Sequence, residues 1–225
     1  MGEYTIMNEV RLVKGLLNPS VYFYQLRESE ILKGYFQKVM WLFLLSALIF
    51  GLNAGFGWGT VPLSKEITTL SPMDFEVHKF YFLLGRLLLG LLYAAIILFI
   101  PTLLFWTISE ADFKKLVVMQ GITLIILLIE KLTYLPLLTY LSLNWYSSPL
   151  SLGVISQSMT DNEWLHYFLG NISLFKLWII YIQFVALKWL TGKKSGLILL
   201  WVSFIHMLLW CFTAFLAYID FSILI

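Results

Sequence analysis

Five apolar runs of about 20 residues, at about 38–57, 80–107, 115–138, 172–190 and 197–219, constrain this 225-residue chain more than any other feature. A helix of about 20 apolar residues crosses roughly 30 Å of hydrocarbon, and there every backbone amide must find its partner inside the chain. The runs therefore predict transmembrane helices. Composition agrees: 60% of residues are hydrophobic, 12% are charged and the mean hydropathy is +0.85. Soluble domains average roughly half apolar and a quarter charged. The expected fold is all-α, a polytopic membrane protein with five transmembrane helices. Residues 1–37 form a cytoplasmic amphipathic segment and residues 38–225 form one membrane domain, with too little chain left over for a separate soluble domain.

Orientation follows from where the cations fall. The tail carries Arg11, Lys14, Arg27, Lys33 and Lys38, the second connection Lys114 and Lys115, and the fourth Lys188, Lys193 and Lys194, ten on one side. The opposite loops hold Lys65 and Lys79, while Arg86, Lys131 and Lys176 fall within or at the far ends of spans. Excess Lys and Arg mark the cytoplasmic side, so the N-terminus is expected inside and the C-terminus outside. The first apolar run follows a charged tail and lacks a small-residue cleavage pattern, which reads as an uncleaved signal anchor.

The polar segments carry helix punctuation. In the tail, Met7, Val10, Val13, Leu16 and Leu17 recur at helical spacing, and Asn18 before Pro19 reads as the cap and first position of a second helix. Such amphipathic helices take either the inner leaflet or the bundle as their apolar partner. Ser71 and Pro72, with Asp74 and Glu76 in the first turn, predict that span two starts before the membrane. Pro101 predicts a kink within it. Ser109 and Asp112 read as the cap of span three. In the long loop before span four, Thr160 and Glu163 have capping-box spacing and Gly170 can close a short helix lying flat on the surface, with Trp164, Leu165 and Phe168 against lipid or bundle.

Catalytic and metal patterns are missing from the sequence. His78, His166 and His206 are scattered, there is no His-Glu-x-x-His motif, and the single Cys211 lies inside span five, where it can form no intrachain disulfide. "GFGWG" at 55–59 reads as a flexible exit from span one. No basic run interleaved with aromatics suggests nucleic acid. No catalytic residue, metal or cofactor is expected, and the chain does not read as an enzyme.

Charged and polar residues inside the spans are the remaining candidates. "GITLIILLIEKLTYLPLL" (121–138) puts Glu130 and Lys131 in an apolar run. Glu130 lies roughly 22 Å along span three, and Arg86 reaches a similar depth on span two, so an Arg86–Glu130 pair is expected, with Lys131 about 100° away and snorkelling to the headgroups. The pair reads either as a structural clamp or as a substrate or ion site of a transporter. The clamp is preferred because the other spans offer no further buried acids from which to build a pathway. Gln183 and His206 fall at matching depth on spans joined by the short turn "TGKKSG", predicting a hydrogen bond; Lys176 and Asp220 are expected to meet at the outer end. Ala47, Gly51 and Gly55 recur every four residues, a face for close helix approach, either within the chain or with a docking partner.

"LLNPSVYFYQLRE", "ISEADFKKLVVMQGITLIILL" and "NISLFKLWIIYIQFVALKWLTGKKSGLILLWV" resemble the bacterial branch of the Yip (Ypt/Rab-interacting protein) family, over about residues 16–217. The matching marks are Phe113 and Lys114 opening span three and Asn171, Phe175 and Trp178 opening span four, with Asn171 where an acid is commoner. The resemblance implies a five-span protein of the bacterial cell membrane. It also implies a non-enzymatic accessory or assembly protein that docks on another membrane complex, such as an ABC-type export or efflux system; the Ala47, Gly51 and Gly55 face leaves room for a second copy, as a homo-oligomer. The alternative from a different class is a small transporter or channel using Arg86, Glu130 and Lys131.

Overall fold

The computed structural model describes residues 7–60, 63–64, 70–141 and 143–219. Five long helices dominate it: α3 (Tyr35–Gly55), α4 (Pro72–Ser109), α5 (Phe113–Leu141), α8 (Leu174–Thr191) and α9 (Ser195–Ile219), each long and apolar enough to cross a membrane. They correspond one for one to the five apolar runs. The chain is a helical, multi-pass membrane protein. At one end of the bundle lie α1 (Leu12–Leu17) and α2 (Pro19–Glu28); at the other lie α6 (Gly153–Met159) and α7 (Glu163–Gly170).

α5 is the axis of the bundle. In its most apolar 18-residue window 72% of positions are buried, against 22–33% in the other four long helices. Between Leu116 and Leu128 every residue except Ile125 is buried. Its apolar surface runs all the way round, so no stripe favours lipid, and α3, α4, α8 and α1 surround it. The peripheral helices turn Leu44, Leu88, Leu92, Leu200 and Phe212 outward, as a hydrocarbon solvent allows.

α3 and α4 approach through small residues. The Ser46 hydroxyl donates to the Gly90 carbonyl at 2.7 Å, and a Cβ on Gly90 would fall 2.7 Å from Ala47 Cα. A Cβ on Gly51 would meet the Leu87 side chain at 2.8 Å, whereas one on Gly55 would meet nothing within 4 Å. The face of Ala47 and Gly51 is thus covered by α4 of the same chain, and only Gly55 stays open. α4 starts as expected, with the Asp74 amide donating to Ser71 Oγ at 3.3 Å, and it continues through Pro101 as an unbroken helix.

The tail departs from the expected pattern. Met7 does not begin a helix: β1 (Met7–Glu9) pairs in parallel with β2 (Ile31–Lys33), and α1 and α2 form the crossover between them. Three-residue strands are too short to show alternation, and each depends on a partner 24 residues away in the register Met7 to Ile31. α2 does begin at Pro19 after Asn18, although the Asn18 side chain caps nothing. Tyr22, Phe23 and Leu26 of α2 are buried, with α2 packed along α8, while Gly15 of α1 lies under Tyr22 and Ile122. The bundle is therefore the partner of one tail face, and Val13, Leu17 and Val21 remain exposed on the other.

Two other caps move. Asp112, not Ser109, caps α5, its carboxylate accepting from the Lys115 amide at 3.1 Å, while Ser109 is the last residue of α4 and Glu110 turns the chain at φ +59°. Asn162, not Thr160, caps α7 by accepting from the Leu165 amide at 3.3 Å. In both cases an Asp or Asn nearer the first turn wins over Ser or Thr. α7 packs on α9 and α6, with Trp164 stacked on Phe168 at 5.3 Å, and Gly170 closes it against Tyr146.

Two predictions follow from this packing. Gly90→Leu should loosen the α3–α4 seam and lower stability by about 1–3 kcal/mol, the cost of overpacking, whereas Gly55→Ala should change it by less than about 0.5 kcal/mol; thermal unfolding in detergent reads both. Burial pushes the Tyr22 phenol from 10.0 up to about 12, partly offset by the nearby Arg11 backbone. A raised folded pKa stabilises the protein below pH 10 and that contribution is lost as pH rises toward 12. Tyr22→Phe should therefore remove an alkaline loss on the order of 2 kcal/mol, visible as a flatter unfolding profile above pH 10.

Candidate functional site

Glu130 ends the buried stretch of α5 and is 4% exposed. One carboxylate oxygen accepts a short hydrogen bond from the Ser173 hydroxyl and another from the Tyr134 hydroxyl at 3.1 Å. The other oxygen lies 3.7 Å from Lys176 Nζ. Ser173 is also the cap of α8, accepting from the Lys176 amide at 3.2 Å. The acid therefore sits at the positive end of the α8 dipole, where a negative charge is favoured. An unpaired charge in hydrocarbon costs about 2.5–3.5 kcal/mol on insertion scales. Here a hydroxyl pair, an ammonium and a helix end act together against that cost.

The expected Arg86–Glu130 pair does not form. Arg86 donates from its guanidinium to the Gly59 carbonyl at 2.7 Å and lies over the Phe82 ring at 4.9 Å. Rotation about the helix axis decides the outcome: the Glu130 side of α5 meets the start of α8, and α8 brings Lys176. Asp220, the expected partner of Lys176, lies outside the described residues. Lys131 does not stand free: its ammonium sits over Phe50 of α3 and Tyr93 of α4, at 4.8 and 4.7 Å.

"GFGWG" turns out to be a strap. Gly57 and Gly59 take φ +88° and +69°, conformations that favour glycine, and the turn so formed aims the Gly59 carbonyl at Arg86. Trp58 stacks on Tyr134 at 5.5 Å, and Tyr134 holds Glu130. The exit of α3 is thus tied at two points to the ionic layer.

Among the described residues, the cations Arg86, Lys131 and Lys176 lie about this layer with the acid Glu130. Lys176 and Glu130 are within ion-pair distance. Lys131 has two aromatic rings for partners, and a cation–π contact contributes about 0.5–2 kcal/mol, less than the insertion cost of the charge. The layer as described carries more positive charge than it neutralises.

A second polar layer lies deeper. His206 Nε2 and Gln183 Oε1 are 2.9 Å apart, the hydrogen bond expected from their matching depth, and it assigns the proton to Nε2. The Gln183 amide nitrogen lies 3.3 Å from Gln120 Oε1 and 3.5 Å from Thr123 Oγ1, donating to both from α8 into α5. Gln120 and Thr123 went unnoticed in the sequence, although their spacing of three on one helix face at this depth was the available signal. At the N-terminal end, β2 and the α4–α5 turn enclose a cleft of about 250 Å³ lined by Glu30, Tyr35, Asp112, Lys114 and Lys115, another grouping no local pattern announces. Among the described residues no three His, Cys, Asp or Glu side chains gather with the spacing a metal needs.

Double-mutant cycles distinguish the two pairings. Glu130→Gln should destabilise the folded protein by about 3 kcal/mol, as when a buried ion pair loses one member. Coupling should appear between Glu130 and Lys176 and be near zero between Glu130 and Arg86, so the Arg86→Glu, Glu130→Arg double swap should not restore folding. Unfolding in detergent measures both.

No family model, curated protein or solved structure matches this chain.

Proposed function

We propose that the protein is a non-enzymatic accessory or assembly factor of the bacterial cytoplasmic membrane, N-terminus inside and C-terminus outside, that docks on another membrane complex. The observation that carries this is the use of the intramembrane acid. Glu130 is buried and engaged by Ser173, Tyr134 and Lys176, so it works as a clamp joining α5 to α8. A transport site would keep such an acid open to exchange with a substrate. The Gln183–His206 pair is likewise tied to α5, Gln183 donating to Gln120 and Thr123.

The resemblance to the bacterial Yip branch supports the same reading and supplies the partner class, an ABC-type export system. Two of its marks fall at helix starts, Phe113 opening α5 and Phe175 standing second in α8, while Asn171 ends α7. The orientation is supported by Lys115 and Lys193, which reach the Arg27 and Ile108 carbonyls at the end of the bundle that carries the tail. That end presents an ordered β-α-α-β surface on which a cytoplasmic partner domain can seat. The transporter alternative draws on the intramembrane charges Arg86, Glu130 and Lys131, of which Arg86 and Lys131 have no carboxylate within ion-pair distance among the described residues.

The test is affinity purification of the full chain from its membrane in mild detergent, with identification of co-eluting membrane proteins, followed by flux measurements in proteoliposomes. A transporter subunit that co-elutes reproducibly, with no flux through the isolated protein, is the expected result. Clean isolation together with substrate or ion flux would overturn the reading in favour of the transporter.

A further inference from the structure

We infer that the outward edge of the α3–α4–α5 junction holds a site for the phosphate of an anionic lipid, with Lys131 and Arg86 as its cationic ligands. The inference is independent of the docking partner and needs only that the long helices cross a bilayer.

The first ground is the chemistry of the two cations. Lys131 and Arg86 are both half-buried, neither has a carboxylate within ion-pair distance among the described residues, and both are held in place by aromatic rings and a backbone carbonyl. Aromatic faces and a single carbonyl fix a cation without neutralising it. The adjacent acid, Glu130, is engaged at the start of α8 by Ser173 and Lys176.

The second ground is convergence. Lys131 rests on Tyr93, and Arg86 lies seven residues before Tyr93, two turns away on the same face of α4. The strap holds the region from above, since the Gly59 carbonyl receives Arg86 and Trp58 stacks on Tyr134.

The third ground identifies the source of the phosphate. Leu83, Leu84, Leu52 and Leu132, which flank these cations on α3, α4 and α5, are 39–44% exposed. On a transmembrane surface those side chains meet acyl chains, so an anion arriving beside them brings its own hydrocarbon. Basic groups near the interface favour anionic over zwitterionic headgroups. An anionic phospholipid satisfies both requirements with one molecule; free phosphate satisfies only the charge.

The full-length protein is reconstituted in nanodiscs of equal phosphatidylglycerol and phosphatidylcholine, re-extracted in mild detergent, and the retained lipid is quantified by mass spectrometry. Phosphatidylglycerol should be enriched, and Lys131→Gln and Arg86→Gln should each reduce that enrichment by about fivefold, the weight of one basic residue toward anionic lipid. Lys131→Arg should preserve it. Equal retention of the two lipids by the unaltered protein overturns the site, and because that measurement comes first the result does not depend on whether a variant folds. Enrichment unchanged in a folded Lys131→Gln protein overturns the assignment of the ligands. Thermal stabilisation of lipid-depleted protein by inorganic phosphate, without phosphatidylglycerol enrichment, overturns the lipid as source.

Discussion

A carboxylate buried in a hydrocarbon-facing bundle organises the far half of this molecule. Glu130 cannot be left bare at its depth, and the groups that surround it come from two helices: Tyr134 from its own α5, Ser173 and Lys176 from α8. Because Ser173 is also the residue that caps α8, the position of the acid and the start of that helix are one arrangement. The helix end contributes partial positive charge, the hydroxyls contribute donors, and the ammonium contributes the counter-charge. α8 then runs back along α5 and delivers Gln183 to Gln120 and Thr123, so the two polar layers share the same pair of helices.

The remaining helices are positioned by packing rather than charge. Between lipid and protein there is no hydrophobic gain from burying one apolar side chain in place of another, so close fit and interhelical hydrogen bonds decide which faces meet. Ser46, Ala47 and Gly90 bring α3 and α4 into backbone contact. That contact places Phe50 and Tyr93 side by side, and Lys131 lies over both. A small-residue seam on one side of the bundle thereby creates the aromatic seat for a charge that reaches it from α5.

At the tail end apolar side chains are buried against the bundle. Tyr22, Phe23 and Leu26 are fully buried between α2 and the bundle, and Lys115 ties the α4–α5 turn to the Arg27 carbonyl. The tail is an integral part of the domain, and its two short strands close it into a unit.

The amino-acid sequence by itself determined the five helices, because length and apolar content are local quantities and the bilayer leaves a helix no rival. It determined the Ser71 and Pro72 start of α4, which depends on residues a few positions apart, and it brought Gln183 to His206, since a short turn forces α8 and α9 to be antiparallel neighbours of matched depth. What only the tertiary structure decided is azimuth and long-range pairing. Glu130 found Lys176 instead of Arg86 because rotation of α5 about its axis is set by all four of its neighbours at once. Arg86 found the Gly59 carbonyl because two left-handed glycines bend the exit of α3 over it, and β1 found β2 through a register that no three-residue strand can announce. Periodicity reports which faces of a helix are apolar; when α5 is apolar all round, only the packed bundle says which neighbour each face meets.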